Sequence, residues 1–175
     1  MLVAKMLKDP PVLGTWVVAG WDGGLLVRAT RRGVREIKFI TAAEVRKHQK
    51  HEPARDAIAW MPELLEALED YLGGKRVSFD DYPIDLSGQP PFRRRVQEAC
   101  RKIPYGKTLT YSQLAAKAGK PAAVRAVGSA MSHNPLPILI PCHRVLRSDG
   151  GLGGFSAPGG TTTKQRLLEM EREKA

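Results

Sequence analysis

Cysteine is nearly absent from this chain. Of 175 residues only Cys100 and Cys142 carry a thiol, so there is no disulfide framework, and no CxxC pair or Cys/His cluster has zinc spacing. Long apolar runs are missing too. None reaches the roughly 18 residues of a transmembrane helix, and the N-terminus shows neither the apolar core nor the cleavage site of a signal peptide. A cytoplasmic protein with no membrane association is the expectation. Asparagine occurs once, at Asn134, a depletion that thermophile proteins show and that base composition also produces. Negative charge is scarce as well: Lys and Arg outnumber Asp and Glu by 28 to 18, giving +10 and a pI near 9.9. A polyanion, nucleic acid above all, becomes a serious partner, with solubilising surface charge as the plain alternative. What is present, 42% hydrophobic and 26% charged residues, is the balance of a globular chain with one core or two small ones.

Periodicity divides the chain. Three β-favouring runs, 15–19, 24–29 and 34–40, are separated by glycine-bearing turns and predict an antiparallel meander. A polar stretch follows. Residues 62–72 then set Leu64, Leu65, Leu68, Tyr71 and Leu72 on one helical face, started by Pro62 and stopped by Gly73-Gly74, with a short strand predicted at 76–79. Residues 81–91, proline-rich and without periodicity, read as a linker between an N-terminal domain, 1–80, and a C-terminal domain, 92–175. In the latter, Phe92, Val96, Cys100 and Ile103 line one helix face, which makes Cys100 a core residue. Thr110 and Gln113 have capping-box spacing for a helix over 111–118. Gly119-Lys120 makes a turn, and Pro121 opens a second helix, 122–133, rich in small residues. Two short helices joined by a glycine turn form the helix-turn-helix pattern.

The second cysteine has a distinctive setting. The apolar run 136–140, broken by Pro137, suits a buried extended segment that delivers Pro141-Cys142-His143-Arg144-Val145. A free thiol has a pKa of about 8.5, so a cysteine nucleophile at neutral pH needs a base or a positive environment. His143 is adjacent, but neighbours on an extended chain point to opposite sides, so it would act through a water or a bent backbone. Residues 148–160 then hold six glycines among thirteen, interrupted by Phe155 and Ser156. Such a loop brings backbone N–H groups and an aromatic face close to a flat ligand, unless it is simply a flexible surface loop.

These segments together resemble the O6-alkylguanine-DNA alkyltransferase family. Ile103-Pro104-Tyr105-Gly106, Thr110-Tyr111-Ser112-Gln113-Leu114-Ala115, Arg125-Ala126-Val127-Gly128-Ser129-Ala130-Met131, Asn134-Pro135, Leu136-Pro137-Ile138-Leu139-Ile140-Pro141-Cys142-His143-Arg144-Val145 and Gly153-Gly154-Phe155-Ser156 occur in that family's order and spacing. The resemblance is close from Pro91 onward and holds only in outline before it. It implies a mixed α/β (α+β) fold: an N-terminal ribonuclease-H-like antiparallel sheet with a helix, then a mostly helical, winged-helix-like domain with the helix-turn-helix. It further implies that the second helix enters the minor groove of DNA, where Ala123, Ala126 and Gly128 allow close approach. Val124 stands where several relatives have alanine. Arg125 resembles the arginine that fills the gap left by an extruded nucleotide, and Tyr111 the tyrosine that crowds the target phosphate and donates to N3 of the base. Met131 and Pro137 would wall the base pocket, the carbonyls of Cys142 and Val145 would accept from the guanine amino group, and the Ser156 N–H would lie near O6. Phe155 would stack, at a position where many relatives have tyrosine. In the implied relay Glu171 orients His143, His143 takes the Cys142 proton through a water, and Asn134 orders the site. Asn134 also stands where a left-handed helix cap is favoured. Lys164 and Leu167-Leu168 align with the family's last helix and bring Glu171 into register two residues late, beside Glu169. Arg144 is expected to be a structural bridge between the domains.

The function so implied is direct, irreversible and stoichiometric: an alkyl group, methyl above all, passes from O6-alkylguanine in duplex DNA to Cys142. The nucleotide leaves the stack first, at a cost of about a few kcal/mol. That would make the chain a methylated-DNA–[protein]-cysteine S-methyltransferase spent after one turnover, needing no cofactor or metal. Its partner would be double-stranded DNA carrying O6-alkylguanine, with no obligate protein partner and a monomeric state. Two alternatives stay open. A helix-turn-helix regulator without catalysis would be indifferent to Cys142, and a small-molecule cysteine hydrolase would leave the basic charge and Arg125 unexplained.

Overall fold

The computed structural model describes residues 11–50 and 53–174. The first ten residues, where a signal peptide would lie, fall outside the described residues, as do 51, 52 and 175. The chain separates into two compact units, Met1–Gly88 and Gln89–Ala175.

In the first unit three strands form an antiparallel meander, β1 (Gly14–Gly20), β2 (Gly23–Thr30) and β3 (Gly33–Thr41), in the order β1-β2-β3. Alternation places Val17 and Leu26, which pair directly, on one face, and there they join Ile40 and Val45 in an apolar cluster. Val45 comes from helix α1 (Ala42–Gln49), which the sequence hides as a polar stretch because Val45 is its one buried residue. Its start was nonetheless written in a capping box, Thr41 and Glu44. Helix α2 (Met61–Leu72) buries Leu64, Leu65, Leu68 and Tyr71, the face its spacing predicts.

One expectation in this unit changes. No strand forms at 76–79; the segment instead seats Phe79 edge-on against Tyr71, with ring centroids 5.6 Å apart. The proline-rich stretch after it is tied to β3. Ile84 makes a parallel bridge to Val34, and the Asp85 N–H donates to the Val34 carbonyl at 2.8 Å. The buried Asp85 carboxylate accepts from the Thr30 hydroxyl at 2.7 Å, from the Ser87 N–H and hydroxyl, and from Arg35 at 3.3 Å. Gly33 is required opposite it, since its φ is +144° and a Cβ would lie 2.5 Å from the Pro83 carbonyl oxygen.

The second unit is mostly helical. Helix α3 (Pro91–Arg101) packs on α4 (Tyr111–Lys117) and α5 (Val124–Ser132), which pack on each other. Val96 and Cys100 face inward as expected, with Gln97 beside them. Thr110 caps α4 through the predicted box, its hydroxyl accepting from the Gln113 N–H at 3.2 Å while Gln113 Oε1 accepts from the Thr110 N–H at 2.7 Å. Helix α5 starts two residues later than expected, at Val124. Pro121 and Ala122 remain in the turn, and Ala123 is the N-cap residue. A short parallel pair, β4 (Leu109–Thr110) with β5 (Val145–Leu146), and the last helix, α6 (Thr161–Glu173), complete the unit. The mixed α/β class, sheet first and helix-turn-helix second, is as the sequence predicts. Among the described residues no helix is long and apolar enough to cross a membrane.

Replacing Asp85 by alanine strips the acceptor from a buried hydroxyl and a guanidinium at once. Urea unfolding should show a loss of about 2–4 kcal/mol. A loss below about 0.5 kcal/mol, the ordinary scatter of surface changes, would mean that the stretch is not anchored in this way.

Candidate active site

The segment before Cys142 is not extended. It turns: the Ile140 N–H donates to the Leu136 carbonyl at 2.8 Å, and Ile138 sits at φ +77°, a conformation that costs a β-branched residue about 1–3 kcal/mol. Burial of Leu136, Ile138, Leu139 and Ile140 holds it there. Asn134 clamps the same turn rather than capping a helix in the left-handed region, where it does not lie. Its Nδ2 donates to the Ile140 carbonyl at 2.7 Å and its Oδ1 accepts from the Leu136 N–H at 3.0 Å.

Cys142, His143 and Arg144 then form one turn of 3-10 helix. This bent backbone lets adjacent residues serve one site, as an extended chain would not. Cys142 is 8% exposed and His143 fully buried. His143 Nε2 lies 2.8 Å from Glu171 Oε1, on α6. Glu171 is buried and takes three more donors: Arg144 Nε at 2.9 Å, Arg144 Nη2 at 2.8 Å and the Gly106 N–H at 3.2 Å. Arg144 Nη1 donates to the Ile103 carbonyl. Arg144 is therefore part of the site, and these partners all lie in its own unit. Glu169 is exposed and accepts from Gln165 at 2.8 Å, which removes it as a rival to Glu171.

Charge states follow from this geometry. Burial pushes the Glu171 carboxyl up, but the bonds from His143 and Arg144 outweigh it and hold the group well below the carboxylate range. An ionised carboxylate only accepts, so Nε2 carries the histidine proton and Nδ1 has the lone pair. Burial also pushes His143 below 6.5, against the pull of Glu171, so the ring is neutral at pH 7. The Cys142 thiol is pushed up by burial. The Asn134 amide, the Lys164 ammonium and the backbone N–H groups of Cys142 and His143 oppose that shift without cancelling it.

Lys164 is a site residue that sequence reasoning placed only in register. Its side chain is wholly buried, donates to the Val145 carbonyl at 2.6 Å and lies 6.0 Å from the centre of the Tyr111 ring. A lysine on an amphipathic helix normally reads as solvated, which is why the sequence conceals it. The Cys142 carbonyl likewise already accepts one bond, from the Val145 N–H. Each of these carbonyls keeps a second lone pair. Tyr111 is half-buried, and Gly153, at φ +67°, leaves room for it: a Cβ there would stand 2.9 Å from the tyrosine hydroxyl.

The remaining candidates fall on two surfaces of this unit. Arg125 and Ala126 are exposed on α5 with Val124, while Ala123 and Gly128 are half-buried, and a Cβ at Gly128 would meet nothing within 4 Å. That side of the helix is open. Met131 is buried and Pro137 half-buried. Phe155 is half-buried on the glycine-rich loop, and Ser156, exposed, ties that loop to the end of α5 by donating to the Ser132 carbonyl at 3.2 Å. Among the described residues no group of three His, Cys, Asp or Glu side chains is arranged to hold a metal.

Residues 91–173 match the family model of the 6-O-methylguanine DNA methyltransferase DNA-binding domain. The chain is 47% identical over 108 residues to the methylated-DNA–protein-cysteine methyltransferase of Methanothermobacter thermautotrophicus, a match spanning 62% of this chain and 59% of that protein. It is 37% identical over 152 residues to the Methanosarcina barkeri protein of the same name, spanning 85% and 90%. A crystal structure of Mycobacterium tuberculosis OGT in complex with DNA shares the fold with a TM-score of 0.71 at 30% identity, covering 91% of this chain and 92% of that one.

The buried network makes stability depend on pH. His143 is depressed below 6.5, so the unfolded chain binds its proton first and stability declines as the pH falls below that value. Glu171, depressed below 4.5, adds stability that is lost as the pH falls from 4.5 through its own lower value. In urea titrations Glu171→Gln should lose about 3–5 kcal/mol at pH 7 and show a shallower decline below pH 4.5. A variant with the wild-type profile would contradict this.

Proposed function

Because the chain belongs to the methylated-DNA–protein-cysteine methyltransferase family, we propose that it repairs duplex DNA by moving an alkyl group from O6 of guanine onto Cys142. The observation that carries this reading is the turn that seats Cys142 beside a neutral His143 backed by the buried Glu171–Arg144 pair. The thiol is neutral at rest and a poor nucleophile, so it must be deprotonated as it reacts. With Nε2 held by Glu171, Nδ1 is the base, reached through a water. The proton's departure leaves an imidazolium against a carboxylate, a pairing far stronger in this buried site than in water.

Sγ then attacks the alkyl carbon. The S–C bond forms, the C–O6 bond breaks, and its electron pair returns to the purine, which regains a proton at N1 as guanine is restored. The proton lost by the thiol balances the one gained by the base. Tyr111, at the start of α4 with its hydroxyl against Gly153, would donate to N3. Asn134 holds the turn that fixes Cys142, and Lys164 adds positive charge near the nascent thiolate.

Reaching O6 requires the nucleotide to leave the stack. The open side of α5 supports this, with Arg125 projecting from its first turn to occupy the vacated space and small residues beside it for close approach to the minor groove. Phe155 supplies a ring for the extruded base, without the hydroxyl of a tyrosine. Nucleophile, relay and recognition helix belong to one chain, which supports action as a monomer.

Incubating the protein with an oligonucleotide containing O6-methylguanine, then digesting it, should place one methyl group on the Cys142 peptide and none elsewhere. Product should stop at one equivalent per chain. Cys142→Ser should still bind the duplex and transfer nothing. Methyl on another residue, or product beyond one equivalent, would refute the reading.

A further inference from the structure

Apart from the cysteine site, the second unit has a cavity of about 500 Å³ between the C-terminal ends of α3 and α4 and the loop from Ile103 to Leu109. Four cations rim it, Arg95, Lys102, Lys107 and Lys117, with one carboxylate, Glu98. The simplest account of the lysines is that they neutralise two helix C-termini. Each helix end is worth about half an elementary charge, so both together need about one cation. Glu98 already has Arg94, which is not among the four, at 3.6 Å. A surplus of about three positive charges is left, more than enough for a doubly charged anion. Lys102, Lys107 and Lys117 form no ion pair with any described residue, while Arg95 lies 5.8 Å from the centre of the Phe92 ring.

The lining also includes the apolar residues Ile103, Pro104 and Leu109. Positive charge and apolar side chains in one cavity, in a volume within the range of about 300–1,000 Å³ typical of small-molecule sites, describe a ligand with two ends. One end is anionic, with about two charges, the charge of a phosphate monoester at neutral pH. The other is a flat or aliphatic body. We propose that this cavity binds a phosphate monoester with an aromatic body, of mononucleotide size.

The position of the site gives binding a consequence. The same loop serves the relay from its other side, where the Ile103 carbonyl accepts from Arg144 and the Gly106 N–H donates to Glu171. Leu109 also pairs with Val145, directly after the catalytic turn. A ligand that orders this loop is felt at Glu171 whichever reaction the relay serves.

Phosphate could come from a free nucleotide or from the backbone of DNA, and calorimetry on the full chain separates the two. Adenosine monophosphate should bind one per chain, with adenosine and inorganic phosphate each weaker by about tenfold or more, a difference of about 1.4 kcal/mol. Lys102→Gln/Lys107→Gln, both exposed and checked for folding by circular dichroism, should weaken the nucleotide by about tenfold as well. Cys142→Ser should bind it as the wild type does, and the Gly106 amide resonance should shift on saturation. Failure of alkyl transfer leaves these outcomes untouched. The proposal is overturned if adenosine monophosphate does not bind, if the double variant binds it normally, if Cys142→Ser abolishes binding, or if the lysines matter only for an undamaged duplex.

Discussion

One buried carboxylate organises the second unit. Glu171 on the last helix accepts from His143 and Arg144 in the turn that begins at Cys142 and from Gly106 in the loop after α3, so three distant stretches of chain meet on two oxygen atoms. A carboxylate without water is costly to bury, and only charge-assisted bonds in good geometry offset that. Arg144 supplies the countercharge bidentately, leaving His143 as the neutral member of the group. The arrangement holds the Cys142–Arg144 turn at a defined distance from the last helix. It also makes the turn intolerant of change, since losing any member leaves the others buried and unmatched.

The thiol is tuned in the opposite sense from a permanently ionised cysteine. Burial outweighs the Asn134 amide, the Lys164 ammonium and the backbone N–H groups, so Cys142 rests as a protected thiol. That would suit the single transfer proposed for it. A standing thiolate would be consumed by oxidants and stray electrophiles, whereas a thiol that loses its proton only when substrate completes the site is spared. The strained Ile138 and the Asn134 clamp hold the turn that carries Sγ, so that in the proposed transfer less would remain to be ordered.

Much of this was legible in the sequence, and what was not has identifiable physical causes. Strands β1 to β3 and helix α2 declared themselves through period-two and period-3.6 burial, and the Thr110 box marked α4. Helix α1 was missed because a stripe one residue wide leaves no periodicity. The stretch at 76–79 looked like a strand because Phe79 is apolar, but its burial is against Tyr71 and not in a sheet. Cys142, His143 and Glu171 could be named from resemblance, yet the turn that unites the first two runs through a left-handed isoleucine, which no propensity suggests. Arg144 and Lys164 were undervalued for one reason: charged residues are expected at the surface, and their burial is a property of the partners they find. The rimmed cavity was invisible, because Arg95, Lys102, Lys107 and Lys117 converge only once α3 and α4 pack.

The central claim is that Glu171 holds His143 as a neutral ring with its proton on Nε2, leaving Nδ1 to take the thiol proton. Nitrogen NMR of the selectively labelled His143 ring in the resting protein tests it directly. At pH 7 the spectrum should show the neutral Nε2–H tautomer, shifting to imidazolium only below the ordinary histidine value of 6.5. An imidazolium at pH 7, or a neutral ring protonated on Nδ1, would contradict the account.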